Sequence, residues 1–275
     1  MKPLFRVLRQ LGRRYFAHQV GRSAAELAYY LLFSLFPLLI FVNASVSMLH
    51  LSSQMLSQML GAVLPSQAAE LVDTYLAYIQ GLDRPMLLYA CLFLTVYALS
   101  RAITSLLRAL SRAYHMTHPP RTNLVMGILL AVLLLLSTVA LLVLLVVSDK
   151  LLLQVGRYIT LPDLLLRLWR LLRLAVAPVY MLLVLACLYA AVSFRRYSFR
   201  QALPGAAFSV ILGFLASTGF SWYLGRAGRY SVLYGSLSAF MVLMLWLYLI
   251  GAVILLGGEL NHILANRNHL SDKGE

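Results

Sequence analysis

The sequence contains few acidic residues and few charges of either sign. Only 9 of its 275 residues are Asp or Glu, and charged residues make up 12% of the chain, whereas a soluble domain carries about 25%. A nuclease that holds its metal ions through carboxylates would show an acidic cluster in a polar segment, and none is present. The sequence therefore disfavours metal-dependent hydrolysis and predicts no catalytic residue.

The motifs that bind metals, phosphates or cofactors are also missing. His115 and His118 lie close together without a third ligand nearby, and there is no Gly-rich phosphate loop, H-E-x-x-H or G-x-S-x-G pattern. We therefore predict no metal, no cofactor and no nucleic-acid partner. The only cysteines, Cys91 and Cys187, fall inside apolar segments, so we expect both thiols to be buried and inert.

Long apolar runs dominate the chain. Hydrophobic residues make up 61% of it and the mean hydropathy is +0.83, which is more apolar surface than a soluble core could hide. A run of about 20 apolar residues spans a bilayer, and its backbone must then be helical. Six such runs occur, at about 24–49, 86–107, 123–147, 172–193, 202–224 and 236–260. The predicted fold is an all-α, polytopic membrane bundle of six transmembrane helices.

Short polar and amphipathic segments surround this predicted membrane domain, which we place at 23–264. Residues 1–22 are basic and amphipathic and are expected to form a helix on the membrane surface, while 265–275 form a polar tail. Two short interfacial helices are predicted within 51–85, the second starting at Ser66. A further interfacial helix is predicted within 148–171, with Asp163 near its start.

The basic residues are distributed unevenly among the predicted loops. The net charge is +14, and most of the 23 Lys and Arg residues precede the first span, follow the second and fourth spans, or follow the sixth. Lys and Arg are enriched in the cytoplasmic loops of membrane proteins. This distribution predicts that both termini are cytoplasmic and that anionic lipid headgroups are partners.

The fifth span carries a regular series of small residues. Small side chains at intervals of four let another helix backbone approach closely, which is how helices associate in lipid. The series, which we call the small-residue ladder, consists of Gly205, Ser209, Gly213, Ser217, Ser221 and Gly225. It fits either tight packing within the chain or a sliding or dimerising surface, so homo-oligomerisation stays open.

Three ionisable residues lie on the same predicted side of the membrane within or beside spans. Glu26 begins the first span, Arg101 lies about two turns from the inner end of the second, and Glu259 lies near the inner end of the sixth. Charges within a bilayer usually face protein or water and have partners. We hypothesise a polar cluster of these three residues, with Tyr30 and Asn261 beside it, lining the inner half of a cavity. The alternative is that they snorkel or join helices without forming a pocket.

The first span also contains a proline. Pro37 removes one helical hydrogen bond and is expected to kink the backbone, and the hydroxyl of Ser34 is placed to satisfy part of what is lost. The bend indicates either a cavity-lining helix or a static kink that improves packing.

Three of these stretches resemble a known family. They are "AAELAYYLLFSLFPLL" at 24–39, "LPGAAFSVILGFLASTGFSWYL" at 203–224 and "YGSLSAFMVLMLWLYLIGAVILLGGELNHIL" at 234–264. The first resembles the first-helix signature, and the others the fifth and sixth helices, of the YihY/BrkB family of bacterial inner-membrane proteins. The resemblance extends from about residue 20 to 265. In "RALSRAYHM", Ser111 stands where that family commonly has Asn.

The resemblance implies six helices in the bacterial inner membrane with both termini cytoplasmic. The family formerly carried the label ribonuclease BN, which is regarded as a misassignment, and its suggested roles in transport, envelope lipid handling and virulence have no settled substrate. Our leading hypothesis is a transporter or lipid-handling protein for an amphiphilic or anionic solute. The alternative is a scaffold that binds lipid or partner proteins without transport, and a ribonuclease is disfavoured.

Overall fold

The computed structural model describes residues 2–48, 66–79, 85–114, 120–158, 163–192, 199–226 and 236–271. These residues form eight helices and no strand. The helices are α1 (Lys2–Ala17), α2 (Val20–Met48), α3 (Ser66–Ile79), α4 (Pro85–Ala113), α5 (Pro120–Tyr158), α6 (Asp163–Val192), α7 (Phe199–Arg226) and α8 (Ser236–Ser271).

Six of these helices are long and apolar enough to cross a membrane. Their candidate spans are Val20–Val42, Tyr89–Ala113, Thr122–Leu141, Ala175–Val192, Phe199–Arg226 and Ser238–Ala265. The prediction of an all-α, polytopic membrane bundle is therefore confirmed. Each span is helical because lipid offers no partner for an unpaired backbone N–H or C=O group.

Two of the predicted helix starts agree with the structure. Helix α3 begins at Ser66, while the other interfacial helix expected within 51–85 lies outside the described residues. Helix α6 begins at Asp163 but runs without a break to Val192, so the Arg-rich segment expected to form a separate interfacial helix is the first part of a spanning helix. No glycine or proline precedes Pro178 in α6, so nothing in the sequence ends the helix at the interface.

The joint between α1 and α2 is a two-residue turn. Gln19 has a positive φ of 52°, and its amide hydrogen-bonds to the carbonyl of Phe16. A residue in the left-handed region commonly ends a helix, because it turns the chain and satisfies a terminal carbonyl. The turn separates the basic amphipathic helix from the first span and lets α1 lie against the bundle.

Small residues lie at the centre of the bundle, where the helices approach one another. Ala24 of α2, Ala131 of α5, Ala186 of α6 and Ala206 of α7 are fully buried in one hydrophobic core. Gly127 of α5 is similar: a Cβ atom there would collide with the Oγ1 atom of Thr104 on α4. Close contact between backbones supplies the van der Waals attraction that holds helices together in lipid.

The two cysteines occupy different environments. Cys91 is buried, as the sequence predicts, but Cys187 is exposed on the surface of α6. The expectation for Cys187 was wrong because all faces of a membrane helix can be apolar, so apolar neighbours in the sequence do not distinguish a core position from a lipid-facing one.

Candidate functional site

A buried carboxylate joins α8 to the end of α1. The side chain of Glu259 is 2% exposed; its Oε2 atom accepts a hydrogen bond from Nη1 of Arg14 at 3.2 Å, and its Oε1 atom lies 2.5 Å from Nδ1 of His18. A buried charge is tolerated only where partners replace its hydration. Glu259 therefore anchors the basic N-terminal helix to the bundle.

The apolar face of α1 completes this attachment. Leu11 is buried, and the hydroxyl of Tyr15 lies 3.4 Å from that of Tyr248 on α8. The hydrogen bond to Tyr248 raises the pKa of Tyr15 above its ordinary value, and burial adds to the rise. Tyr15 stays neutral at physiological pH, and α1 rests on the bundle through both polar and apolar contacts.

Asn261 bridges α8 to the first turns of α7. Its Oδ1 atom accepts the amide hydrogen of Gly205 at 2.7 Å, and its Nδ2 atom donates to the carbonyl of Ala202 at 3.0 Å. Pro204 lies between these two residues and has no amide hydrogen. The Asn261 side chain thus binds the α7 backbone on both sides of Pro204.

The small-residue ladder of α7 has two parts. Its first residues, Gly205 and Ser209, pack against the α8 backbone at Gly257, and a Cβ atom on Gly205 would collide with the Gly257 carbonyl oxygen. Gly213, Ser217 and Ser221 line a cavity, as Ser209 also does, and Gly225 has open space around it. Tight packing within the chain therefore accounts for the beginning of the ladder; a sliding or dimerising role stays a prediction.

Glu26 and Arg101 have different partners from the ones expected. Oε1 of Glu26 lies 2.7 Å from Nη2 of Arg108, and the two side chains are 42% and 43% exposed. The guanidinium of Arg101 lies over the Tyr30 ring, 5.7 Å from its centroid. The antiparallel register of α2 and α4 places Arg108, rather than Arg101, level with Glu26. Glu259 contacts neither Glu26 nor Arg101, because its partners are Arg14 of α1 and His18 of the turn that follows α1.

A cavity of about 560 Å³ lies among α2, α4, α5, α6, α7 and α8. Most of its lining is apolar, and its polar lining residues are Tyr180, Ser209, Ser217, Thr218, Ser221 and Trp246. Glu26, Tyr30, Arg101, Glu259 and Asn261 do not line it. The cavity that the structure forms is thus separate from the polar groups that sequence reasoning expected around it.

The cavity reaches the surface of the bundle between α6 and α7. Met181 of α6 and Phe214 of α7 both line it and are 38% and 40% exposed, and the neighbouring Thr218 is exposed as well. The opening lies on the outer surface of the bundle. On the α5 side, the hydroxyl of Tyr180 lies 2.7 Å from Oγ1 of Thr138 and ties α6 to α5.

The indole ring of Trp246 forms part of the cavity lining. Nε1 of Trp246 donates to Oγ of Ser217 at 3.0 Å, which links α8 to the small-residue ladder. A tryptophan away from water needs such a partner for its N–H group. The contact holds the large indole ring in place at the edge of the cavity.

Pro37 lies inside α2, which continues from Val20 to Met48. Oγ of Ser34 donates to the carbonyl of Leu31 at 2.8 Å. It does not donate to the carbonyl of Phe33, which is the one that Pro37 leaves without an amide partner. The expectation that Ser34 compensates for Pro37 is therefore wrong, because the Ser34 hydroxyl hydrogen-bonds to the turn of α2 that precedes it. Pro37 itself is buried.

Within the described residues no three His, Cys, Asp or Glu side chains come together in a way that could hold a metal ion. His115 and His118 lie outside the described residues.

Sequence reasoning missed Arg14, His18 and the residues that line the cavity. A buried carboxylate such as Glu259 needs a cationic partner, and the basic N-terminal segment could supply one. However, no local sequence pattern shows where α1 packs on the bundle. The cavity depends on the spacing of six helices.

Comparison with known proteins agrees with this architecture. The family model described as "Virulence factor BrkB" matches residues 11–275. The chain belongs to the BrkB family. Protein YfkH of Bacillus subtilis (strain 168), which is named only as ribonuclease-like, is 31% identical over 272 residues that cover 97% of this chain and 98% of YfkH.

Other BrkB-family relatives match over shorter stretches. A UPF0761 membrane protein of Pseudoalteromonas translucida is 38% identical over 81 residues, covering 30% of this chain and 27% of that protein. A UPF0761 membrane protein of Xanthomonas campestris pv. campestris is 41% identical over 92 residues, covering 34% of this chain and 21% of that protein. No solved structure matches the chain. Together with the six spans, the comparisons make this an integral membrane protein of the BrkB family.

Proposed function

We propose that this BrkB-family protein accommodates the apolar part of an amphiphilic molecule in the cavity between α6 and α7, as a transporter or lipid-handling protein. The observation that carries the proposal is that the cavity opens on the outer surface of the bundle, past Met181 and Phe214. We expect this surface to face lipid. A molecule dissolved in the bilayer would enter by this route without crossing water.

The size and lining of the cavity support such an occupant. Its volume of about 560 Å³ falls within the roughly 300–1,000 Å³ of small-molecule sites, which are mostly apolar with a few placed polar groups. Here the polar groups are hydroxyls and one indole. They suit the ester or glycerol part of an amphiphile better than a free ion, because no lining side chain is charged.

The ionisable residues are assigned a supporting role in this proposal. Glu259 and Glu26 would hold the end of the bundle that carries the N-terminus, through α1 and Arg108 respectively. We place this end in the cytoplasm and the protein in the bacterial inner membrane, in line with the excess of basic residues. No catalytic reaction, and in particular no RNA hydrolysis, is part of the proposal.

The proposal can be tested with a substitution on α7 that fills the cavity with a larger side chain. A Cβ atom on Gly213 would find its nearest neighbour, Cδ1 of Ile250, at 3.9 Å, so Gly213→Leu places its side chain in open cavity space. Gly219 lies on the same helix, is exposed and has nothing within 4 Å, so Gly219→Leu is the matched control.

Mass spectrometry would identify and count the amphiphiles that co-purify with the full-length chain in mild detergent. We expect Gly213→Leu to lose the bound molecule and Gly219→Leu to retain it at the wild-type level. Equal retention by both variants would contradict the proposal and favour a scaffold that does not use the cavity.

A further inference from the structure

Arg101 is a charged residue in the middle of a candidate membrane span. It is equally distant in sequence from Tyr89 and Ala113, the ends of the span in α4. Among the described residues its guanidinium has no carboxylate within 4.0 Å, and the contact it makes is with the face of the Tyr30 ring, 5.7 Å away. Ionisable residues inside membrane spans are costly and usually have a partner.

The Arg101 side chain is half-buried. Tyr97, one turn away on the same face of α4, is 55% exposed. Tyr29, which contacts the Tyr30 ring edge-on, and Phe33 of α2 are also exposed. The opposite face of α4 carries the cavity-lining residues Leu99, Ala102, Ile103 and Leu106. Arg101 therefore lies at the contact between α2 and α4, on the side of α4 away from the cavity. We call this surface the α2–α4 seam.

The Arg101 guanidinium lies deeper in the bundle than the neighbouring ion pair. Arg108 lies two turns nearer the end of α4, about 10 Å along the axis, and already pairs with Glu26. Tyr30 lies one turn beyond Glu26 on α2, so the ring holds the Arg101 guanidinium about 6 Å deeper than that ion pair. Arg112, nearer still to the end of α4, donates to Oγ of Ser23.

We propose that Arg101 and Tyr30 bind the phosphate group of an anionic phospholipid whose headgroup enters the α2–α4 seam. An aromatic ring contacts the face of a guanidinium and leaves the N–H groups at its edge for hydrogen bonds. No acceptor for them lies among the described residues. A phosphate matches the guanidinium edge with two parallel hydrogen bonds and supplies the missing negative charge.

The exposed aromatic residues complete the lipid site. Tyr29, Phe33 and Tyr97 are exposed on the same two helices and would present apolar rings to the acyl chains. Arg108 and Arg112 lie along the same seam towards the end of the bundle and would attract an anionic headgroup from the membrane surface. The site is independent of the cavity, because Arg101 and Tyr30 do not line it.

The experiment measures how many lipids stay bound to the full-length protein by native mass spectrometry, using phosphatidylglycerol and phosphatidylcholine with identical acyl chains. The wild type should retain phosphatidylglycerol in preference. Arg101→Gln should weaken that retention by roughly tenfold, since it removes charge-assisted hydrogen bonds, and leave phosphatidylcholine unchanged. Arg101→Lys keeps the positive charge but lacks the planar guanidinium that makes two parallel hydrogen bonds. Its phosphatidylglycerol retention should lie between those of the wild type and Arg101→Gln.

Arg226 provides the matched control. Its guanidinium also stacks on an aromatic ring, 3.8 Å from the centroid of Trp222, but at the end of α7. Arg226→Gln should therefore leave phosphatidylglycerol retention at the wild-type level. If Arg101→Gln does not fold, Arg101→Lys and Tyr30→Leu decide the question: wild-type selectivity in both would contradict the proposal.

Three further results would overturn the lipid site. They are unchanged phosphatidylglycerol retention in folded Arg101→Gln, a loss of dimer with unchanged lipid in that variant, and displacement of phosphatidylglycerol by inorganic phosphate. The second would indicate that another copy of the chain covers Arg101, and the third a site for a free anion. The variant Gly213→Leu distinguishes this site from the cavity. Filling the cavity should leave the preference for phosphatidylglycerol at Arg101 unchanged.

Discussion

Nδ1 of His18 lies 2.5 Å from Oε1 of Glu259, and this contact joins residues 241 positions apart in the sequence. Together with Arg14 it attaches the amphipathic helix α1 to α8, next to the residues of α8 that pack on α7. The same end of the bundle therefore combines a buried ion pair, a side-chain bridge through Asn261 and a close backbone contact. Each of these can be tested with matched substitutions.

Replacing Glu259 by Gln should destabilise the protein by about 1–3 kcal/mol, because Arg14 and His18 lose a buried charged acceptor. The same substitution at Glu26 should cost about 0–1 kcal/mol, since its pair with Arg108 is largely exposed. Thermal unfolding in detergent at constant pH measures both. An equal loss of stability in the two variants would show that burial of Glu259 does not increase the contribution of its contacts to the free energy of unfolding.

Gly205→Ala should cost about 1–3 kcal/mol, because the added Cβ atom collides with the Gly257 carbonyl oxygen and the Asn261 side chain and forces α7 away from α8. Gly225→Ala provides the comparison on the same helix. Nothing lies within 4 Å of its new Cβ atom, so the higher helix propensity of alanine should leave stability unchanged or raised by up to about 1 kcal/mol. Apparent Tm values that fall equally in both variants would contradict the close contact at Gly205.

Asn261→Ala should lower stability by about 1–3 kcal/mol, because it leaves the amide hydrogen of Gly205 without its acceptor in a buried setting. Asn261→Asp should be worse than Ala. An aspartate can still accept from Gly205, but as a carboxylate it cannot donate to the carbonyl of Ala202 and places negative charge against it. Chemical denaturation of the three proteins ranks them, and an Asp variant as stable as the wild type would rule out the bridge.

The native cysteines predict a simple labelling pattern. Cys187 is exposed on the bundle surface and Cys91 is buried, so N-ethylmaleimide should modify one thiol per folded chain in detergent. Cys187→Ser should abolish this labelling and Cys91→Ser should leave it unchanged, as intact-mass measurement can show. Labelling that survives in Cys187→Ser would mean that the α4 position of Cys91 is open to the reagent.

Several elements could be predicted from local sequence alone. Length and apolar content determine whether a segment spans a membrane, so the six spans and the all-α class follow from composition and periodicity. Ser66 and Asp163 mark helix starts because side chains of this type cap the unpaired amides of a first turn. The small-residue ladder indicates a packing surface, since the spacing of four is a property of one helix.

The partners of the ionisable residues could not be predicted in this way. Topology places Glu26 and Arg101 in the same part of the membrane, but it does not give the rotation of each helix or the register between α2 and α4. That register puts Arg108 beside Glu26 and leaves Arg101 on Tyr30. Glu259 is paired by α1, a helix whose docking position depends on the whole surface it rests on.

By itself, the sequence determined that this chain is a helical, multi-span membrane protein with an uneven distribution of basic residues, because hydropathy and charge are summed along each segment. Only the tertiary structure decided which apolar faces meet protein, which meet lipid and which enclose the cavity beside Gly213. The physical reason is that lipid and protein interior are equally apolar, so the choice among faces rests on van der Waals fit between whole helices and leaves little trace in any one of them.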